Sequence, residues 1–268
     1  MYPIIEIFGK EFGTYSIISL FGMMLSFVVA FLLARRKNVE REDYIILCLF
    51  IVAGLLLGSH LVYGITNIKY LVIVFKNLSK LSFIETVSYV VKYFGGMVFY
   101  GGFIGACVGV LFYTKFLKKI ERSLAFDLLS VAMPLFHVFG RIGCFFGGCC
   151  YGKEWSWGFT VHGNTLVPEI NDVVRIPVQL IEASCNLIIF LLILFLYFKL
   201  KQRGILIYIY MIIYSVTRFV LEFYRGDEIR GVFFSLSTSQ WISITLFLFS
   251  IIKLITIKYK DNNKETAV

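Results

Sequence analysis

The chain has 268 residues, of which 59% are hydrophobic, 18% aromatic and only 16% charged. A soluble domain is about half apolar and roughly a quarter charged, so this composition excludes a water-soluble globule and a disordered chain and leaves a multi-span membrane protein. The net charge of +9 is to be read against lipid, and no nucleic-acid partner is expected.

The first thirteen residues carry Glu6, Lys10 and Glu11 and no basic run ahead of the apolar stretch. This is the reverse of a cleavable signal peptide, so the first span is expected to stay in the mature protein. Apolar runs of about 20 residues mark membrane-crossing helices. They occur here at 15–34, 44–64, 95–114, 124–145, 178–198, 205–224 and 240–257. With only Pro3, Pro134, Pro168 and Pro177 to interrupt them, they predict an all-α membrane protein, a bundle of about seven transmembrane helices forming one polytopic domain over 1–268.

Alternate connections are basic. Arg35, Arg36, Lys37 and Arg41 follow the first run; Lys115, Lys118, Lys119 and Arg122 the third; Lys199, Lys201 and Arg203 the fifth; Lys258, Lys260 and Lys264 the last. Cytoplasmic loops concentrate Lys and Arg, which predicts the N-terminus outside and the C-terminus in the cytoplasm. Two longer segments then fall on the outer face. Residues 65–94 mix apolar residues with Lys69, Lys76, Lys80 and Lys92, as in helices lying on a lipid surface. Residues 148–177 are more polar, with Trp155 and Trp157 among turn formers, as expected at the interface.

Charges inside the spans carry the functional signal. An Arg or Asp at mid-bilayer costs on the order of 2.5–3.5 kcal/mol on insertion scales, so it faces a partner or a cavity. In the sixth run Arg218, Glu222 and Arg225 stand at i, i+4 and i+7 on one helix face. Two Arg around one Glu leave a surplus positive charge, which suits either a structural ion network or an anion site, because guanidinium matches phosphate bidentately. His137 and Arg141 share a face of the fourth run. A neighbouring Arg favours neutral imidazole, which can accept a proton. His60 near the outer end of the second run is a weaker signal.

Glycines Gly95, Gly96, Gly101, Gly102, Gly105 and Gly109 crowd the third run; they let helices approach closely or leave room for a ligand chain. Cys144, Cys149 and Cys150 form a C-x4-C-C cluster that could form a disulfide, bind metal or supply a thiolate. Zinc sites usually draw four ligands at paired spacings; no CxxC is present, and His162 is a weak fourth candidate, so no metal and no cofactor are expected. Cys48, Cys107 and Cys185 read as small core hydrophobes.

The blocks 95–105 (GGMVFYGGFIG), 140–152 (GRIGCFFGGCCYG), 175–182 (RIPVQLIE), 218–226 (RFVLEFYRG) and 237–243 (STSQWIS) together resemble, in order and topology, prolipoprotein diacylglyceryl transferases over nearly the whole chain. The resemblance implies a seven-span, monomeric enzyme of the bacterial inner membrane with its active site toward the outer leaflet. Such an enzyme moves the diacylglyceryl group of phosphatidylglycerol to the lipobox cysteine of a prolipoprotein signal peptide and releases glycerol phosphate. Arg141 and Arg225 fall on the family's essential arginines, implied to hold the lipid phosphate. Gln179, Glu182, Tyr214, Arg218, Glu222 and Gln240 fall on further matching positions, and Gly96 of the 95–105 block is a further candidate for substrate binding. The family's signature Asn, Asn and Glu are Cys144, Gly147 and Cys149 here; the third-span His is Tyr100, a first-span Tyr is Phe21 and a second-span Arg is His60. With the usual base replaced, His137, one turn below Arg141, is expected to take the thiol proton. The rival expectations are a divergent homologue with another acceptor and a non-catalytic phospholipid-binding protein.

Overall fold

The computed structural model describes residues 3–78, 81–227 and 231–265, with backbone alone at 7 and 260–265. Lys80 and the side chains of Lys260 and Lys264 therefore lie outside the described residues. Each of the seven predicted apolar runs coincides with a helix: α1 (Thr14–Arg35), α2 (Arg41–Thr66), α5 (Phe99–Phe116), α6 (Arg122–Gly147), α7 (Val178–Lys199), α8 (Leu206–Glu222) and α9 (Thr238–Glu265). Six of these are long and apolar enough to cross a bilayer; α8, with 17 residues, is the shortest of the set. The protein is a multi-pass, all-α membrane protein.

The 65–94 segment forms two further helices, α3 (Ile68–Lys76) and α4 (Phe83–Phe94). Ser82 and Glu85 start α4 with a reciprocal capping box: Ser82 Oγ accepts from Glu85 N at 3.3 Å while Ser82 N donates to Glu85 Oε2 at 2.8 Å. The third span begins at Phe99, not at Gly95, because Gly95 caps α4 and the chain extends through Val98 before α5 starts.

Strands are short and confined to connections. β1 (Ile4–Ile7) pairs antiparallel with β2 (Lys10–Gly13), β3 (Glu154–Thr160) with β4 (Val174–Arg175), and β5 (Val232–Phe233) with β6 (Leu236–Ser237). The β3–β4 pair lies in the long 148–177 link. That link is ordered by Asn164, whose Oδ1 accepts from Leu166 N and Val167 N at 2.9 Å, and by Asn171, whose side chain pairs with both backbone groups of Asn164. Trp155 and Trp157 on β3 are exposed.

The helices fall into two compact units, Met1–Leu33 with Asp127–Val268, and Ala34–Phe126. Within Ala34–Phe126, α2 and α5 meet along glycines. A Cβ on Gly54 would overlap the Gly105 carbonyl oxygen, one on Gly105 the Gly54 oxygen, and one on Gly58 the Gly101 oxygen. Gly101, Gly105 and Gly109 of the third run therefore serve backbone-to-backbone contact between two helices. In the other unit Gly22 of α1 meets Phe139 of α6 just as closely, and Phe21 stacks edge-on against Phe139 at 5.3 Å. Fully buried Asp127 of α6 accepts the Gly204 amide at 3.0 Å with Arg203 at 3.9 Å, fastening the basic α7–α8 link.

Candidate functional site

The site lies in the unit Met1–Leu33 with Asp127–Val268 and is built on three helices. On α6, His137, Arg141 and Cys144 recur at i, i+4 and i+7, and on α7 Gln179, Glu182 and Asn186 at i, i+3 and i+7, so each trio shares a face. Helix α7 is launched by Pro177 at its N-cap, which brings Gln179 and Glu182 into its first two turns.

Glu182 is the hub. It is 0% exposed, and its Oε1 lies 3.0 Å from Arg141 Nη2 and 3.8 Å from His137 Nε2 while Oε2 lies 3.5 Å from Arg218 Nη1. Arg218 reaches onward to Glu222 at 2.5 Å, and Glu222 faces Arg225 Nε at 4.0 Å. Arg225 in turn donates two bonds to Asp227, at 2.8 and 2.6 Å. Tyr214 of α8 packs against His137, with ring centroids 5.1 Å apart. Three arginines thus alternate with three carboxylates in one buried chain.

Two expectations change here. Helix α8 ends at Glu222, so Arg225 is not on its face at i+7; it sits in the following turn, where its backbone bridges to Gly152. The surplus positive charge read from the sixth span alone is balanced by Glu182 and Asp227. Sequence reasoning missed Asp227 altogether, although its spacing of two residues from Arg225 was the available signal.

Three guanidinium donors in this chain, all buried, have no hydrogen-bond acceptor among the described residues: Arg141 Nε, Arg225 Nη1 and Arg218 Nη1, the last facing Glu182 Oε2 as an ion pair at 3.5 Å. Leaving such groups unsatisfied costs about 1–3 kcal/mol each, and more for charged groups. They are therefore natural contacts for an anionic oxygen. Burial works against the charge of Arg225, but the Asp227 carboxylate overrides it and keeps the guanidinium's pKa above its ordinary value.

The loop beyond α6 closes on the same place. Gly226 N donates to Tyr151 O at 3.0 Å and Lys153 N to Tyr224 O at 2.9 Å, tying residues 151–153 to the turn that carries Arg225. Gly226 is required for that approach, since a Cβ would press on the Gly152 oxygen. Gln179 Nε2 donates to the Cys149 carbonyl at 2.9 Å. Left-handed turns at Gly148 (φ 78°) and Cys150 (φ 58°) fold the loop back, and the sulfurs of Cys144, Cys149 and Cys150 all lie within 4.8 Å of one another. Hydrogen bonds from Cys144 and Cys149, with the guanidiniums of Arg141 and Arg225 nearby, hold the Cys150 thiol well below its ordinary pKa. His162 instead faces Asp172 at 2.6 Å, both exposed.

The remaining candidates take other partners. Gln240 opens α9, where its Oε1 accepts from Ser237 N at 2.9 Å and its Nε2 donates to Phe219 O at 3.4 Å. His60, Gly96 and Tyr100 belong to the unit Ala34–Phe126. There His60 Nδ1 sits 2.9 Å from the Phe94 carbonyl oxygen and 3.0 Å from that of Gly96, fixing the turn between α4 and α5. A Cβ on Gly96 would overlap the Tyr63 ring, and Tyr100 packs edge-on against Phe99.

A family profile described as prolipoprotein diacylglyceryl transferase matches residues 3–256. Phosphatidylglycerol–prolipoprotein diacylglyceryl transferase 2 of Clostridium perfringens is 33% identical over 270 residues, covering 98% of this chain and 97% of that protein. The like-named enzymes of Clostridium tetani and Campylobacter jejuni are each 28% identical, covering 94% and 96% of this chain and 98% and 94% of their own lengths.

Proposed function

We propose, because this chain belongs to the prolipoprotein diacylglyceryl transferase family, that it transfers the diacylglyceryl group of phosphatidylglycerol to the lipobox cysteine thiol of a prolipoprotein and releases glycerol phosphate. The observation that carries this reading to particular residues is that Arg141 Nε and Arg225 Nη1 are buried donors without acceptors, while the third such donor, Arg218 Nη1, already faces Glu182 at 3.5 Å. Fixed positive charge aimed at the departing phosphate is what such a reaction needs most. Arg141 and Arg225 take the phosphate. Glu182 holds Arg141 and Arg218 in place, and Glu222 and Asp227 do the same for Arg218 and Arg225.

The thiol must ionise before it attacks, since its free pKa is near 8.5. His137 is the imidazole on the Arg141 face of α6, and we assign it the thiol proton. Tyr214 and Gln179 shape the pocket beside it; His60, Gly96 and Tyr100 contribute to lipid binding. The alternation of basic connections supports a site toward the outer leaflet of the bacterial inner membrane, with the N-terminus outside and segments 65–94 and 148–177 on the outer face. The enzyme acts as a monomer.

The test is direct transfer by the purified protein in nanodiscs containing phosphatidylglycerol. A lipobox peptide gains the mass of one diacylglyceryl group, its Cys→Ser version gains nothing, and Arg141→Ala loses the activity. A protein that binds phosphatidylglycerol yet leaves the peptide unmodified refutes the reading.

A further inference from the structure

Three thiols converge beside the arginines, and the proposed function gives them no task. Two of them, Cys144 and Cys149, stand where this chain departs from its family's signature. Cys144 lies on the same face of α6 as Arg141, one turn outward. Cys149 is pinned through its carbonyl by Gln179, and Cys150 precedes the segment bridged to Arg225. The three sulfurs lie within 4.8 Å of one another; Cys144 is buried while Cys149 is exposed. A left-handed residue other than glycine, as at Cys150, is costly and persists where the surroundings impose it.

We propose that Cys144, Cys149 and Cys150 hold one thiophilic divalent cation of the zinc class, and that the incoming lipobox thiol takes its fourth coordination position. The inference rests on the transferase reading. Tetrahedral zinc with bonds of about 2.3 Å sets sulfurs about 3.8 Å apart, so shifts of about 1 Å or less per sulfur bring this cluster to that geometry. A site with three protein ligands is the open, reactive kind rather than the closed structural kind. Among the described residues the cluster has three members, and His162 is engaged by Asp172.

The chemistry matches the step the enzyme must perform. On coordination the S–H bond of the substrate cysteine breaks; the proton goes to His137 and the electron pair stays on sulfur, because a coordinated thiol is deprotonated outright. That sulfur forms a bond to the terminal glyceryl carbon of the lipid as the carbon–oxygen bond to phosphate breaks. The bonding pair leaves with the phosphate oxygen, which Arg141 and Arg225 receive. A thiolate and a phosphodiester monoanion become a neutral thioether and a phosphomonoester dianion, so charge balances. The thioether is a weak ligand and leaves the cation.

The experiment uses the full-length protein purified in detergent without chelators. Elemental analysis is expected to find one zinc per chain, falling to background in Cys144→Ser and Cys150→Ser. With cobalt(II) in place of zinc, sulfur-to-cobalt charge-transfer absorption rises when a lipobox peptide is added and does not change with its Cys→Ser version. Because the variants could misfold, the wild type is also stripped and reloaded. Stripping lowers transfer up to about 30-fold at pH 7, the factor by which a free thiol of pKa 8.5 is un-ionised, and less than about twofold at pH 9; zinc restores it. Reduced protein that takes up no zinc or cobalt and transfers at full rate overturns the inference while leaving the proposed function intact, and so does a disulfide among the three cysteines with no metal bound after reduction. Protein that holds zinc and takes up the peptide thiol but transfers nothing overturns the catalytic step together with the proposed function.

Discussion

Glu182 is where the reasoning about the site is most exposed to measurement. Glu182→Gln keeps the volume of the side chain and removes its charge. At an effective dielectric of 20, the Coulomb attraction to Arg141 at 3.0 Å and to Arg218 at 3.5 Å is about 5 kcal/mol each, much of it offset by the cost of having buried the ions. Removing one partner of such a pair strands the other, which costs about 3–5 kcal/mol. Arg141 pairs with no carboxylate other than Glu182 among the described residues, whereas Glu182 keeps Arg218 at 3.5 Å when Arg141 is lost, so Arg141→Gln should cost less than Glu182→Gln. The double variant strands neither, and should be more stable than the sum of the singles by about 2–3 kcal/mol. Unfolding in mixed micelles by denaturant titration reads all four corners of the cycle. Stabilities additive to within about 0.5 kcal/mol would refute the claim that Glu182 anchors Arg141.

Arg225→Lys keeps the charge but loses the paired hydrogen bonds to Asp227 and the donor left for an anion; phosphatidylglycerol-dependent transfer should fall by about 100-fold or more, and wild-type kcat/KM would count against the assignment. His137→Ala should lower transfer by up to about 30-fold at pH 7, the factor by which a free thiol of pKa 8.5 is un-ionised, with the deficit shrinking as rising pH ionises the thiol unaided; an unchanged pH profile removes His137 as the proton acceptor. Gly54→Ala should cost about 1–3 kcal/mol by forcing α2 from α5, whereas a Cβ on Gly140 meets nothing within 4 Å, so Gly140→Ala should leave thermal stability equal or slightly raised. A fluorescent protein fused after Val268 should fold and fluoresce if the C-terminus is cytoplasmic, and stay dark if the orientation is inverted.

The spans were readable in the sequence because about 20 apolar residues have few alternatives in this composition. Their ends were not. Nothing in the run from Gly95 announces that Gly95 belongs to the cap of α4, and α9 continues to Glu265 beyond the expected stop at 257 because no breaker interrupts it. Arg141, Arg218 and Glu222 stood out because a charge in an apolar helix demands a reason. Glu182 was reachable only through the family resemblance, since one acidic residue near a span end is unremarkable until two helices face it. Asp227 and the meeting of three thiols depend on turns, at 223–227 and at Gly148 and Cys150, whose handedness no periodicity encodes.

The alternation of three guanidiniums with three carboxylates bears on turnover as well as on affinity. Such a cage is electrically neutral before any lipid arrives, so it has no reserve of positive potential with which to retain an anion indefinitely. The proposed reaction converts a singly charged headgroup into a doubly charged fragment, which Arg141 and Arg225 meet locally while the cage as a whole adds no net positive charge to hold it. Departure of the spent headgroup is thus favoured by the wiring of the pocket itself, and a variant that left the cage with excess cation would be expected to become product-inhibited.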